Sequence, residues 1–330
     1  MANALSVLFA IFRLPASRKQ YWAPVLLGMA VACVLAVEAG AQEPDGAPEP
    51  EEDRQTGETE LPEEHCAAEA PPVCPPEMLL VAGFCIDRWE ASFVDHETSE
   101  VLSPYYPPHP GLLHAARSFW QLERLNTGDE SARGMPLPEL PPVQREGNFE
   151  GRAVSRPGVV PQAYLNYPLA KRGCELAGKR LCTRDEWLTA CRGAARTPYP
   201  YGLRYEQDKC NVYRAFHPAA VLHGNASTGH RDPRLNLLFE VGVGSLLRST
   251  GDTATCASRW GDDAAYDMVG NIDEWIEDES GTFVGGFYSR STRKGCAAQV
   301  TAHGPTYYDY SLGTRCCASV TLPEPDAPDE

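Results

Sequence analysis

Twelve cysteines, set in a chain that Gly, Pro, Asn and Asp break every few residues, limit this fold more than any other feature. No Cys-x-x-Cys pair occurs, so zinc-type thiolate sites are set aside in favour of structural disulfides. Disulfides persist in oxidising compartments, and the N-terminus offers a route to one. Arg13, Arg18 and Lys19 precede the apolar run Trp22–Val37, and Ala39-Gly40-Ala41 provides a small-residue cleavage site before Gln42. Two rivals stand beside a cleaved signal. Ala30-Val31-Ala32-Cys33 resembles a lipobox, which would attach the chain to a membrane through Cys33, and the run could also stay as an uncleaved anchor. Without Cys33, eleven cysteines remain: 66, 74, 85, 174, 182, 191, 210, 256, 296, 316 and 317. The odd number leaves at least one thiol unpaired or shared between chains.

The formal net charge is −16, but it is unevenly spread. Gln42–Pro75 holds 11 Asp/Glu against one Arg, and residues 322–330 hold four acids and no base. The middle of the chain is nearly balanced. An acidic protein repels phosphates, which excludes strong nucleic-acid binding, and a single apolar run excludes a multi-span membrane protein. Four segments follow: 1–41 for targeting, 42–75 an acidic Pro-rich linker, 76–321 one continuous domain, and 322–330 an acidic tail. Both acidic stretches are too polar to bury themselves and read as disordered, solvated spacers.

Regular structure inside the domain is sparse. Met78–Ile86 reads as a strand pair around Ala82-Gly83. Val160–Leu176 reads as a helix with Leu165, Leu169, Ala170 and Cys174 on one face and Gly178 at its stop. Thr183-Arg184-Asp185-Glu186 fits a capping box, followed by the stripe Trp187, Leu188 and Cys191 and a stop at Gly193. From Thr197 to Thr301 the chain is mostly irregular, with short strands expected at Phe283–Tyr288 and Gly313–Val320. A domain with so few ladder hydrogen bonds needs disulfides or bound cations as staples.

Six blocks then carry a resemblance: CIDRWEAS (85–92), AGKRLCTRDEWLTACRG (177–193), YPYG (199–202), YDMVGNIDEW (266–275), VGGFY (284–288) and GTRCC (313–317). In this order they resemble the sulfatase-modifying-factor family, which includes the formylglycine-generating enzymes. The resemblance implies an α+β fold, a disulfide-rich C-type-lectin-like variant with little regular secondary structure. It also implies the pairs Cys174–Cys316 and Cys191–Cys296. Pairing of the other cysteines is not given by it; Cys74–Cys85 and Cys210–Cys256 are guesses. A calcium site is implied at Asp267, Gly270, Ile272 and Glu274, with two carboxylates and two backbone carbonyls as ligands. Asn211 is the one candidate for a second calcium site.

The family's enzymes oxidise a substrate cysteine with O₂ at two cysteines that bind Cu(I). Both lie between the Gly-Gly strand and the Cys-Ala-Ala block. Here that interval is Ser289–Gly295, which has no cysteine and carries Arg290, Arg293 and Lys294 instead. Asp273 replaces an aromatic residue of the family's GN-x-W-E-W block. No copper and no formylglycine-generating activity are therefore expected. A related oxidase branch uses a histidine-rich iron site, but His217, His223 and His230 have neither helix nor strand spacing and read as surface loop residues. Arg290, Arg293 and Lys294 are candidate ligand-binding residues for an acidic peptide or glycan. Tyr307-Tyr308-Asp309-Tyr310 reads as core packing. The functional expectation is an exported binding or structural module of the cell envelope. The alternative is an active oxidase modifying a protein or small molecule.

Overall fold

The computed structural model describes residues 73–123, 134–290 and 292–321, all within the compact unit Cys66–Glu330. The targeting segment, nearly all of the acidic linker, the C-terminal tail, Cys33, Cys66 and Ser291 lie outside the described residues. Among the described residues no helix is long and apolar enough to cross a membrane.

The expected hairpin is present. β1 (Met78–Val81) and β2 (Phe84–Asp87) pair antiparallel, with Val81 opposite Phe84. Ala82 and Gly83, at φ 43° and 96°, form the two-residue turn with the positive φ values that a tight hairpin requires. β3 (Ala91–Asp95) pairs with β4 (Gly151–Ser155) across an excursion that holds α1 (Pro110–Glu123) and α2 (Pro142–Glu146). The next helix is shorter than expected: α3 spans Tyr167–Leu176. Asn166 caps it by accepting from the Leu169 amide at 2.9 Å, Pro168 sits in its first turn, and Tyr164 at φ 62° bars helix upstream. Leu165 thus enters the core from extended chain. After β5 (Arg180–Leu181), α4 (Arg184–Arg192) begins with the expected capping box: Thr183 Oγ1 accepts from the Glu186 amide, and Glu186 accepts from the Thr183 amide.

A short helix α5 (Pro218–His223) and two ribbons follow, β6 (Phe239–Glu240) with β7 (Gly244–Ser245) and β8 (Ala257–Trp260) with β9 (Asp263–Tyr266). The C-terminal third gives β10 (Asp273–Trp275), β11 (Phe283–Val284), β12 (Gln299–Val300), β13 (Leu312–Thr314) and β14 (Cys316–Ser319). The strand expected over Phe283–Tyr288 stops at Val284 because Gly285 and Gly286 turn to φ 88° and 83°. The one expected over Gly313–Val320 splits at Arg315. Two four-stranded sheets result, in the orders β1-β2-β14-β5 and β12-β11-β10-β13, the β10–β13 pair being parallel.

Five disulfides staple these elements: Cys74–Cys85, Cys174–Cys316, Cys182–Cys317, Cys191–Cys296 and Cys210–Cys256. The adjacent pair Cys316-Cys317 explains much of the packing. Neighbours on a strand point to opposite faces. Cys316 therefore reaches Cys174 on α3, in a core built on Phe93, Trp275 and Leu312. Cys317 reaches Cys182 in a second core with Ile86, Trp187 and Met268. One strand is thereby fastened into two cores. A third core gathers Tyr164, Leu222, Phe287, Tyr288, Tyr308 and Tyr310, so most of the tyrosine patch is packing, as its composition suggests.

Candidate functional site

The loop between β9 and β10 carries the expected calcium residues and is tightly wound. Asp267 and Asn271 take φ 58° and 57°, and Gly270 takes φ 86°. A Cβ at Gly270 would lie 2.4 Å from the Asn211 carbonyl oxygen, so only glycine fits there. Asn271 ties the loop to its surroundings. Its amide donates to Asn211 O at 2.9 Å, its side-chain oxygen accepts from Asn211 Nδ2 at 2.8 Å, and its Nδ2 donates to Glu90 Oε2 at 2.7 Å. Glu274 is fully engaged. Arg315 Nε and Nη2 donate to its carboxylate at 2.9–3.1 Å, and Trp187 Nε1 donates at 2.6 Å. Asp267 Oδ2 accepts from the Gly251 amide at 2.7 Å, and Arg214 Nε donates to Asn211 Oδ1 at 2.7 Å.

A calcium ion needs six to eight oxygens turned toward one point. Here the carboxylate of Glu274, Oδ2 of Asp267 and the side-chain oxygen of Asn211 are each held by internal donors, two of them guanidinium groups. Of the expected set Asp267, Gly270, Ile272 and Glu274, the two carboxylates are thus engaged as arranged, Glu274 by Arg315 and Trp187 and Asp267 Oδ2 by the Gly251 amide. Among the described residues no three His, Cys, Asp or Glu side chains group as a metal site would. The charge balance remains tense. Glu90, Asp267 and Glu274 share one buried region with Arg315. Burial, reinforced by the charges of Asp267 and Glu274, pushes the Glu90 carboxyl well up, and its Oε1 has no partner. Burial pushes Asp267 up to about 7.

The interval where the family's enzymes bind copper is built differently. Arg290 turns inward, with its guanidinium 5.4 Å from the centre of the Phe287 ring, and pairs through Nη2 with Asp273 Oδ1. The Gly286 amide also donates to Asp273 Oδ1, at 2.9 Å. Asp273 is completely buried, its Oδ2 has no partner, and burial raises its carboxyl to about 7 even with Arg290 pulling it down. Two departures from the family pattern, separated by 17 residues, thus meet as one ion pair. Arg293 donates to Tyr213 Oη at 2.9 Å, and Lys294 is exposed. All ten cysteines among the described residues are disulfide-bonded, so none offers a thiolate, and the described part of the interval does not fit Cu(I).

The histidines are partly misplaced by the sequence reading. His223 is not on the surface: its side chain is 5% exposed and lies 3.1 Å from Asp232, which also pairs with Arg234. His217 Nε2 lies 3.1 Å from Tyr310 Oη, and the His217 and His230 rings are 6.1 Å apart. Burial lowers His217, with His230 adding to the effect. Sequence reasoning missed Glu90 and Arg315 as a buried charge network. The available signal was an acid beside Trp89 and Ala91 in CIDRWEAS and a guanidinium beside two cysteines in GTRCC.

Residues 57–323 match the family described as "Sulfatase-modifying factor enzyme 1-like domain". The chain belongs to this family. Solved structures that the chain is similar to include PvdO from Pseudomonas aeruginosa, at 14% identity and a TM-score of 0.33, covering 72% of this chain and 80% of that one. CarF aligns at 14% identity and a TM-score of 0.35, covering 72% of this chain and 87% of that one. The Major Tropism Determinant U1 variant aligns at 14% identity and a TM-score of 0.38, covering 76% of this chain and 54% of that one. No curated protein matches the chain significantly. In this sulfatase-modifying-factor domain, Arg290 of the interval Ser289–Gly295 is paired with Asp273.

Proposed function

We propose that this protein is an exported sulfatase-modifying-factor domain that does not oxidise cysteine and acts as a ligand-binding module of the cell envelope. The observation that carries the reading is Arg290, which stands inside the interval where the family's enzymes bind copper and is paired with Asp273 from outside it. A guanidinium repels Cu(I) and offers it no soft donor. The disulfide bonding of all ten described cysteines supports it, because the family's chemistry requires two thiolates at one point. Five disulfides also imply an oxidising compartment. The N-terminal run would deliver the chain there, with or without lasting membrane attachment, and the acidic linker would hold the domain away from the surface.

The test is an anaerobic Cu(I) competition on the full chain with a chromogenic chelator. The reading expects all Cu(I) to stay with the chelator. One equivalent of Cu(I) held by the protein against that chelator contradicts it.

A further inference from the structure

The C-terminal end of α4, the loop after it and β8 enclose a groove of about 470 Å³, within the range of ligand sites. Its lining includes Arg192, Arg259 and Lys209 and contains no Asp or Glu. Arg192 and Arg259 are exposed, and neither forms an ion pair among the described residues. Lys209 has only a loose contact with Glu206, at 3.7 Å. Three cations on an acid-free groove make a local positive patch in a domain whose own charge is nearly balanced. Tyr201 contributes an aromatic wall, stacked on Tyr199 at 5.5 Å between ring centres.

The groove is rigidly built. Ala194 N donates to Arg259 O at 2.9 Å, Ser258 Oγ to Cys191 O at 2.7 Å, and Trp260 Nε1 to Ala190 O at 3.3 Å, which locks α4 to β8. Gly193 at φ 65° lets the two backbones meet, since a Cβ there would lie 3.1 Å from Arg259 O. On the far wall Cys210–Cys256 ties Lys209 beside Thr255, whose Oγ1 donates to Lys209 O at 2.7 Å. Preorganised walls spare a ligand the cost of ordering them.

We propose that this groove binds an anionic saccharide, its carboxylate or sulfate groups held by Arg192 and Arg259 and a sugar ring laid against Tyr201. Guanidinium forks match the planar carboxylate and bind sulfate similarly. An acidic peptide fits less well. β8 is paired with β9 on one side, and on the other Arg259 O already accepts from Ala194 N, so main-chain pairing with a peptide would have to displace that contact.

This inference rests on the binding-module reading but fails separately from it. The experiment titrates the full chain, by calorimetry, with a polygalacturonate hexamer, a chondroitin sulfate hexasaccharide, a neutral cello-hexamer and a poly-glutamate 12-mer. Binding of either anionic saccharide is expected, weakening as salt is raised, and whichever of the two binds identifies carboxylate or sulfate as the anion. The double variant Arg192→Ser/Arg259→Ser should lose at least tenfold in affinity with its thermal midpoint unchanged, since both side chains are exposed. The inference is overturned if neither anionic saccharide binds, if the variant binds as well as the parent, or if the neutral sugar or poly-glutamate binds more tightly. Those results leave the copper competition untouched, so they would remove the saccharide without restoring the oxidase.

Discussion

Asp273 and Arg290 carry the greatest consequence of any single residues in this chain. Asp273 is fully buried with one oxygen unpartnered, so its ionised form depends on Arg290. Arg290→Ala should cost about 1–3 kcal/mol of stability at pH 8 and less at pH 5.5, where Asp273 can take a proton. Asp273→Asn/Arg290→Ala should recover part of that loss, as measured by urea unfolding of each variant. The pH profile follows from the same group. With Asp267 and Asp273 both raised to about 7, the folded state holds protons that the unfolded chain would release near pH 4. Their stabilisation is complete below the unfolded value and is lost as pH rises through about 7. Urea unfolding should therefore show lower stability at pH 8.5 than at pH 5.5, with a shallower difference in Asp273→Asn. A profile unchanged by that substitution would contradict the assignment. Each of the two positions was readable from the sequence as a departure from a family block. Their pairing was not, because it joins irregular chain segments that no periodicity relates.

Among the elements, those with local causes were the most legible. The β1–β2 hairpin follows from Ala82-Gly83, and α4 follows from its capping box; Thr183→Ala should cost about 1 kcal/mol, visible as a lower thermal midpoint. The length of α3 was misjudged because Leu165 shares its hydrophobic period, while the Asn166 cap and the left-handed Tyr164 decide where the helix can begin. The partners of Cys316 and Cys317 show the limit of reading by spacing. Adjacent cysteines on one strand must diverge, and the strand was expected over Gly313–Val320, but nothing in the spacing says which cysteine faces Cys317. Cys182–Cys317 closes 135 residues, yet Cys174–Cys316 already joins nearly the same points. The second cross-link therefore removes the entropy of only a short additional loop. Cys182→Ala/Cys317→Ala should cost about 3 kcal/mol or less, not the larger loss that its sequence separation alone suggests. Equilibrium unfolding of the oxidised variant measures this.

For the whole molecule, cross-links and internal guanidinium groups hold together the segments around the loop to which the resemblance assigns calcium. Glu274 is neutralised by Arg315 and Asn211 is bound by Arg214, so excess chelator should leave the thermal midpoint unchanged. A drop of several degrees that added Ca²⁺ reverses would contradict this arrangement. The family blocks were legible in the sequence because they mark positions that the fold uses many times over. The groove between α4 and β8 was not, because Arg192, Lys209 and Arg259 come from three distant segments that only folding brings together. The account turns on the copper interval. Its most direct test incubates the full chain with Cu(I), O₂, a thiol reductant and a peptide containing Cys-Ser-Pro-Ser-Arg, then follows the peptide by mass spectrometry. The account predicts that the cysteine persists unchanged, and conversion of that cysteine to an aldehyde would contradict it.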